Sequence, residues 1–222
     1  MKALIIDDHP LFAEGMKLLL LAATSVSQAH WVTDGEQGLQ WAHEQVPQLV
    51  FLDLFLERGQ SGLPLIRTFC DQLPGARVVV VSGQSDPKTV EEALESGAAG
   101  FVPKSSTPAR MIDTLRLVVG GGVSVPLDPG QSGFDDGTFP AGPETGTRPQ
   151  TVSLAEAFPE LTPRQQEVLA ALARGLPNKV IARELGLAEG TVKQHLHAIY
   201  GVIGAENRAG ALYRMARAGV SV

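Results

Sequence analysis

Two adjacent aspartates, Asp7 and Asp8, close the mostly apolar run "MKALII". Side chains alternate across a strand, so two neighbouring acids cannot both face a core. Each raises the other's pKa unless something positive lies between them. The pair reads either as a solvated turn or as half of a cation site. The other half is sought at the ends of later apolar runs. Asp53 follows "QLVFL", Ser82 follows "ARVVVV" and Lys104 follows "GFVP". Three carboxylates can hold a hard cation such as Mg²⁺ through oxygen. A lysine and a hydroxyl beside them can bind the oxygens of an anion. A site offering both kinds of contact suits a phosphoryl group. Asp53 lies between "VFL" and "LFL", where a lone charge is costly and has little structural reason to be.

These residues converge only if their runs are neighbouring strands with one polarity. The first half of the chain alternates such runs with amphipathic stretches. "ALIID", "AHWVT", "QLVFLDL", "ARVVVVS" and "GFVPK" read as strands. "PLFAEGMKLLLLAA", "GEQGLQWAHEQ", "GLPLIRTFCDQL", "DPKTVEEALESG" and "TPARMIDTLRLVVGG" read as helices between and after them. Asp86 is the expected N-cap of the fourth helix, with Pro87 in its first turn and Gly97 at its end. Five such pairs with nearly continuous apolar strands predict a doubly wound, five-stranded parallel sheet covered on both faces. Ligands of such sheets sit beyond the carboxyl ends of the strands, where all five polar residues fall.

Residues 121–153, "GGVSVPLDPGQSGFDDGTFPAGPETGTRPQTVS" from Gly121 to Ser153, lack apolar periodicity and read as a flexible linker. The domains expected are therefore 1–120, the linker 121–153, and 154–222. The last segment is helical throughout: a short leading piece in "LAEAFPE", then "LTPRQQEVLAALARG", "NKVIAREL", "EGTVKQHLHAIYGVI" and "NRAGALYRMARAG". Four helices with the tight turn "GLA" between the second and third describe a helix-turn-helix domain.

Charge divides the chain in the same place. Residues 1–150 hold 10 Lys+Arg against 18 Asp+Glu, a net of −8, and residues 151–222 hold 8 against 6, a net of +2, which together give −6. Two modules with different partners are expected. The single cysteine, Cys70, excludes an intramolecular disulfide framework and suits a reducing cytoplasm. No apolar run is long enough to span a bilayer, and the early acids interrupt any signal-peptide pattern. No membrane partner is expected.

The pieces "IIDDH", "LVFLDL", "VVVVSG" and "GAAGFVPK", in this order, resemble the receiver domain of two-component response regulators, a flavodoxin-like fold. The resemblance implies that Asp53 is the phosphoacceptor, taking its phosphoryl group from a histidine kinase or a small phosphodonor. It implies Mg²⁺ bound by Asp8, Asp53 and the backbone carbonyl of Phe55, with Asp7 contributing less directly. Lys104 would pair with the carboxylate and then with the phosphoryl oxygens. Ser82 would close on that group and Phe101 would turn inward behind it. The stretch "DLFLERGQSG" departs from the family: Glu57 replaces a usual proline, Gly62 comes one residue late, and Phe55 is bulky where many relatives are polar.

The stretch from Leu161 to Leu212 closely resembles the LuxR-type (GerE-type) DNA-binding domain, through LTPRxxEVL, NKxIAxELG, GTVKxH and a later NR. Together the two halves resemble the NarL/FixJ class. The implied function is a transcription regulator that binds double-stranded DNA, dimerises when phosphorylated and is no enzyme beyond self-phosphorylation and self-dephosphorylation. The helix "EGTVKQHLHAIY" would enter the major groove. Val192, Leu196 and Ile199 are its core face. Lys193, Gln194 and His197 lie opposite, and Lys179 and Thr191 are candidates for phosphate contact. Ala188 replaces a frequent capping serine. Haloacid-dehalogenase-type phosphohydrolases also place an aspartate at a strand end, but they need a second acid two residues on, where this chain has Phe55. An atypical regulator indifferent to phosphate is opposed by the complete set of Asp7, Asp8, Asp53, Ser82 and Lys104.

Overall fold

The computed structural model describes residues 1–56, 60–126 and 152–220. They form two units, each considered by itself.

In the first unit the apolar runs are strands β1 (Lys2–Ile6), β2 (Gln28–Val32), β3 (Leu49–Leu52), β6 (Arg77–Ser82) and β7 (Gly100–Pro103). They pair in parallel in the order β2-β1-β3-β6-β7. The register aligns Ile6 with Val32 and Leu52, Leu52 with Val80, and Ser82 with Pro103. The carboxyl ends are therefore level, as convergence of the polar residues requires. The order reverses direction at β1 and β3, the place where ligands of such sheets bind. Asp7 and Asp53 each stand one residue past those two strands.

Both faces of the sheet are dry. Ala3, Ile5, Leu49, Phe51, Val79, Val81 and Val102 face one way, against Ala13, Met16 and Leu20 of α1 (Pro10–Ala23) and Met111, Leu115 and Val118 of α5 (Pro108–Val119). The alternate residues, among them Leu4, Ile6, Leu52 and Phe101, are equally buried. Their side carries α2 (Gly35–Gln45), α3 (Gly62–Gln72) and α4 (Pro87–Glu95). Gly38 of α2 approaches Ile6 so closely that a Cβ there would lie 2.6 Å from Ile6 Cδ1. Side-chain caps start α2, α3, α4 and α5 at Asp34, Ser61, Asp86 and Thr107. Asp86 caps α4 as its position suggests, but the helix ends on Ser96, with Gly97 one residue beyond at φ 106°. A glycine placed just past the last helical residue costs nothing at positive φ.

Two features are absent from the sequence reading. A hairpin of two-residue strands, β4 (Phe55–Leu56) and β5 (Gln60–Ser61), follows Asp53 directly. Strands this short carry no alternation to detect. The free edge of β7 is also occupied, since the Phe101 amide donates to Ser124 O at 2.6 Å. Arg77 secures that segment by donating to Val118 O and Gly122 O, both at 2.6 Å. Most of the expected linker, including 127–151, lies outside the described residues, as does Glu57.

The second unit contains α6 (Leu154–Ala157), α7 (Pro163–Ala173), α8 (Asn178–Leu185), α9 (Glu189–Ile203) and α10 (Arg208–Arg217). Ser153 and Thr162 start α6 and α7 with reciprocal capping boxes. Val168, Leu172, Ile181, Val192 and Ile199 are fully buried and form the contact between α7, α8 and α9. Gly186 ends α8 at φ 65°, and Arg164 of α7 donates to the Leu185 carbonyl there. Among the described residues no helix is long and apolar enough to cross a membrane.

Gly62 supports the loop that holds Asp53. Its amide donates to Leu54 O at 2.9 Å, and a Cβ on it would lie 2.6 Å from Asp53 O and 2.8 Å from Leu54 Cα. Both obstacles are backbone, so Gly62→Ala should destabilise the protein by about 1–3 kcal/mol. Urea unfolding of the two proteins at one pH measures this. Equal midpoints would show that the loop yields without cost.

Candidate functional site

Asp7, Asp8, Asp53 and Lys104 meet at the carboxyl edge of the sheet. The Asp7 and Asp53 side chains are 2% and 3% exposed, and that of Lys104 15%. Lys104 Nζ donates to Asp53 Oδ2 at 2.7 Å and to Asp7 Oδ1 at 2.9 Å. It also stands 2.8 Å from Asp7 Oδ2, off the angle of a hydrogen bond, so that buried oxygen has an ionic neighbour but no donor. The Phe12 ring lies beneath the ammonium, 4.9 Å from its centre, and adds a cation–π attraction.

The backbone fixes these side chains in place. Asp7 N donates to Val32 O at 3.1 Å and Asp53 N to Ile6 O at 2.9 Å, while Lys104 N donates to Ser82 O at 2.8 Å. Trp31 Nε1 donates to the Asp7 carbonyl at 2.8 Å. Phe55 N donates to Asp53 Oδ1 at 3.1 Å. Both Asp53 oxygens therefore have a protein donor and keep lone pairs for another partner.

Burial raises the Asp53 pKa above the ordinary carboxylate value, against the lowering pull of Lys104 and the Phe55 amide. For Lys104 burial works downward, but its hydrogen bonds to Asp53 and Asp7 prevail and its pKa is raised. The ammonium is thus firmly retained. Three carboxylates against one ammonium leave two negative charges in a nearly closed site. A divalent cation matches that remaining charge, and the three carboxylates are the hard oxygen ligands that Mg²⁺ takes. The Asp7 Oδ2 atom, buried without a hydrogen bond, fits the same conclusion.

The other sequence candidates divide. Ser82 is fully buried, but its Oγ accepts from Gln84 N at 3.2 Å and does not engage the carboxylates. Phe101 is fully buried. The Phe55 side chain is half exposed. Two further residues stand at the site. Trp31, 24 positions from Asp7, is connected to it only by the parallel register of β1 and β2. His9 places Nδ1 2.8 Å from Asp8 Oδ1, 3.2 Å from Asp7 Oδ1 and 3.9 Å from Asp53 Oδ2. Its adjacency to "DD" was the available clue.

In the second unit Val192, Leu196 and Ile199 are buried, whereas Lys193, Gln194 and His197 are exposed on the opposite face of α9. Thr191 is half-buried in the first turn, and Lys179 is exposed in the first turn of α8. Ala188 is the N-cap of α9 and makes no side-chain cap bond. Glu189 lies 3.7 Å from Lys193 and partly offsets its charge.

Comparison with known proteins agrees with both units. Residues 3–116 match the response regulator receiver domain, and residues 159–216 match the bacterial regulatory proteins of the luxR family. The nitrate/nitrite response regulator protein NarL of Escherichia coli K12 is 31% identical over 195 residues, covering 87% of this chain and 84% of the relative. The glycerol metabolism activator of Pseudomonas putida is 32% identical, covering 95% and 93%. A LuxR-family two-component response regulator from Aurantimonas superposes with TM-score 0.51 at 25% identity, covering 56% of this chain and 88% of that one. RcsB from Salmonella enterica serovar Typhimurium, bound to promoter rprA, shares the fold with TM-score 0.52 at 20% identity, covering 96% and 98%.

Replacing Lys104 by Met strands two buried carboxylates. At neutral pH this should cost about 3–5 kcal/mol, the usual loss on breaking a buried ion pair. The Asp53 pKa, already raised, should rise further because Lys104 pulls it down in the native protein. A carboxyl with a raised folded pKa costs stability only while ionised. The deficit should therefore be full at pH 7 and shrink as pH falls through that raised pKa. Urea unfolding of both proteins across this range tests it; a deficit that grows toward acid pH would contradict the pairing.

Proposed function

The chain belongs to the LuxR family of DNA-binding two-component response regulators, and from that membership we propose that phosphorylation of Asp53 controls its binding to DNA. The observation that carries this reading is the convergence of Asp7, Asp8 and Asp53 on Lys104 at one sheet edge. The phosphoryl donor is a phosphohistidine of a partner kinase or a small acyl phosphate. An Asp53 oxygen attacks phosphorus, and the bond from phosphorus to the donor breaks with its electron pair going to the leaving group. Phosphoryl transfer depends mainly on position and charge compensation. Asp7, Asp8, Asp53 and the carbonyl of Phe55 would hold Mg²⁺. When bound, that ion supplies charge neutralisation for the carboxylate and the phosphoryl oxygens together.

The chain's own residues do the rest. Lys104, held beside Asp53 at 2.7 Å, transfers part of its hydrogen bonding to the new phosphoryl oxygens. Ser82 releases Gln84 N and turns its hydroxyl toward the same group, and Phe101 follows into the space behind it. The half-exposed Phe55 ring shields the acyl phosphate from water. Output passes to α9, which enters the major groove with Gln194 and His197 toward the bases and Lys179, Thr191 and Lys193 toward phosphates. We place the protein in the cytoplasm and take release of the helix-turn-helix unit, followed by homodimerisation, as the route from Asp53 to DNA. The opposite net charges of the two segments and the Gly- and Pro-rich sequence between them support that route.

Incubation with acetyl phosphate and Mg²⁺ should add one phosphoryl mass to the wild type and none to Asp53→Asn, with circular dichroism unchanged. Modification of any other residue in the wild type sinks the assignment. On DNA, Lys193→Ala should weaken binding to all sequences and lower the salt slope by about one. Gln194→Ala should instead relax preference at one base pair, at about 1–3 kcal/mol. If both variants bind as the wild type does at fixed salt, α9 is not the reading helix.

A further inference from the structure

β7 has one main-chain donor to offer on its outer side. Lys104 N donates inward to Ser82 O. Backbone direction alternates along a strand, so Gly100 and Val102 also turn inward, while Phe101 and Pro103 turn outward. Proline has no N–H. The Phe101 amide is therefore the sole outward donor between Gly100 and Pro103, and Ser124 O accepts from it at 2.6 Å.

The segment that brings Ser124 there is shaped to lie on that edge. After α5 the chain folds back, with Gly121 N donating to Val118 O at 3.0 Å and Gly122 N to Leu117 O at 2.8 Å. Arg77, the first residue of β6, fixes this turn by donating to Val118 O and Gly122 O. Gly100 supplies the seat. A Cβ on it would stand 3.1 Å from Ser124 O and 3.5 Å from Ser124 N, closer than carbon ordinarily approaches a carbonyl oxygen. Beyond Gly122 the bond from Phe101 is the one main-chain hydrogen bond that holds Val123–Pro126 among the described residues.

Phe101 thus has two ends with different partners. Its side chain is fully buried beneath one face of the sheet, and its amide holds the chain that leaves the unit. A shift of β7 by about 1 Å takes a 2.6 Å hydrogen bond to the limit of its range. We propose that Val123–Pro126 is a strap, seated on Gly100 and tied to the Phe101 amide, that leaves β7 when Asp53 is phosphorylated and so lengthens the tether to the DNA-binding unit. This rests on the reading of Asp53 and Phe101 given above, and adds to it the element that passes the signal on. Arg77 keeps Gly122 in place, so release frees about 13 Å of chain at full extension. With one bond as the tie, the strap is either on or off, and no part of the sheet need refold.

The test follows hydrogen exchange at single amides by NMR in the full-length protein. Spectra are recorded before and after phosphorylation by acetyl phosphate with Mg²⁺, and the added mass is measured alongside. The Phe101 amide should exchange about tenfold faster once Asp53 is phosphorylated, the factor that one net hydrogen bond is worth. The Ala99 amide, which donates inward to Val78 O at 2.7 Å, should keep its rate. In unphosphorylated Gly100→Ala the Phe101 amide should already exchange at the phosphorylated rate, and phosphorylation should change it by less than about twofold. An unchanged Phe101 rate in the phosphorylated wild type overturns the strap and leaves the phosphorylation of Asp53 standing. Equal acceleration at Ala99 overturns it as well, because the edge of the sheet then opens as a whole. Wild-type protection of Phe101 in folded Gly100→Ala does the same, since Gly100 is then no seat. If that variant does not fold, the wild-type comparison decides alone. Absence of any added mass overturns the reading of Asp53, and this inference with it.

Discussion

The Lys104–Asp53 contact, 2.7 Å long and almost closed to solvent, is the interaction on which the first unit turns. An aspartate that must react cannot sit in open water, where its charge is spread, nor be buried alone, where it would take up a proton. Lys104 resolves this conflict only in part. It balances one charge of three, and the two left over are what a divalent cation could balance. The same ammonium rests on Phe12 of α1 and reaches Asp7 after β1, so three parts of the fold meet at one nitrogen. Burial of Asp53 would work against ionisation without this partner, and burial of Lys104 would be costly without the acids. Neither residue has a tolerable environment except beside the other.

A pair this exacting needs a rigid mount. The sheet supplies one because its central strands are dry on both faces and level at their carboxyl ends. Asp7 and Asp53 are bound by their amides to adjacent strands, and Trp31 secures the Asp7 carbonyl from a third strand. The acids therefore cannot move to meet a new charge; other groups must. β7 is one of the two edge strands, and it carries both Phe101 and the approach to Lys104. Its outer side meets the segment around Ser124, through the Phe101 amide. β7 thus joins the site to the segment around Ser124. Small displacements of packed elements can carry a signal because such packing has discrete arrangements.

How much of this was legible in the sequence follows from the range of each interaction. Asp7, Asp8, Asp53, Ser82 and Lys104 could be placed on one edge because each closes an apolar run, and strand polarity is a local inference. The faces of α9 were legible for the same reason, since Val192, Leu196 and Ile199 recur at helical spacing. What Ser82 touches was not, because its hydroxyl is taken by Gln84 two residues on, a matter of rotamer. Trp31 depends on strand register, and the contact of Gly62 with Asp53 O depends on where a two-residue hairpin lets the chain return. Gly62 seemed one residue late when counted along the sequence. In space it meets the Asp53 backbone, because the β4–β5 pairing takes up the length between them.

The DNA-binding unit presents the opposite balance of charge, and a weak one. Eight basic residues against six acidic ones leave +2 over residues 151–222, and Glu189 offsets Lys193 on the exposed face of α9. Since phosphate neutralisation supplies most non-specific affinity, a net charge this small leaves little of that contribution to a single copy of the unit. That weakness has a physical use. When one unit binds weakly, joining two raises the local concentration of the second near its half-site and multiplies affinity without any new contact. The modest charge of the helix-turn-helix unit and the uncompensated charge of the acidic site are thus two consequences of one uneven distribution, −8 over residues 1–150 and +2 over residues 151–222.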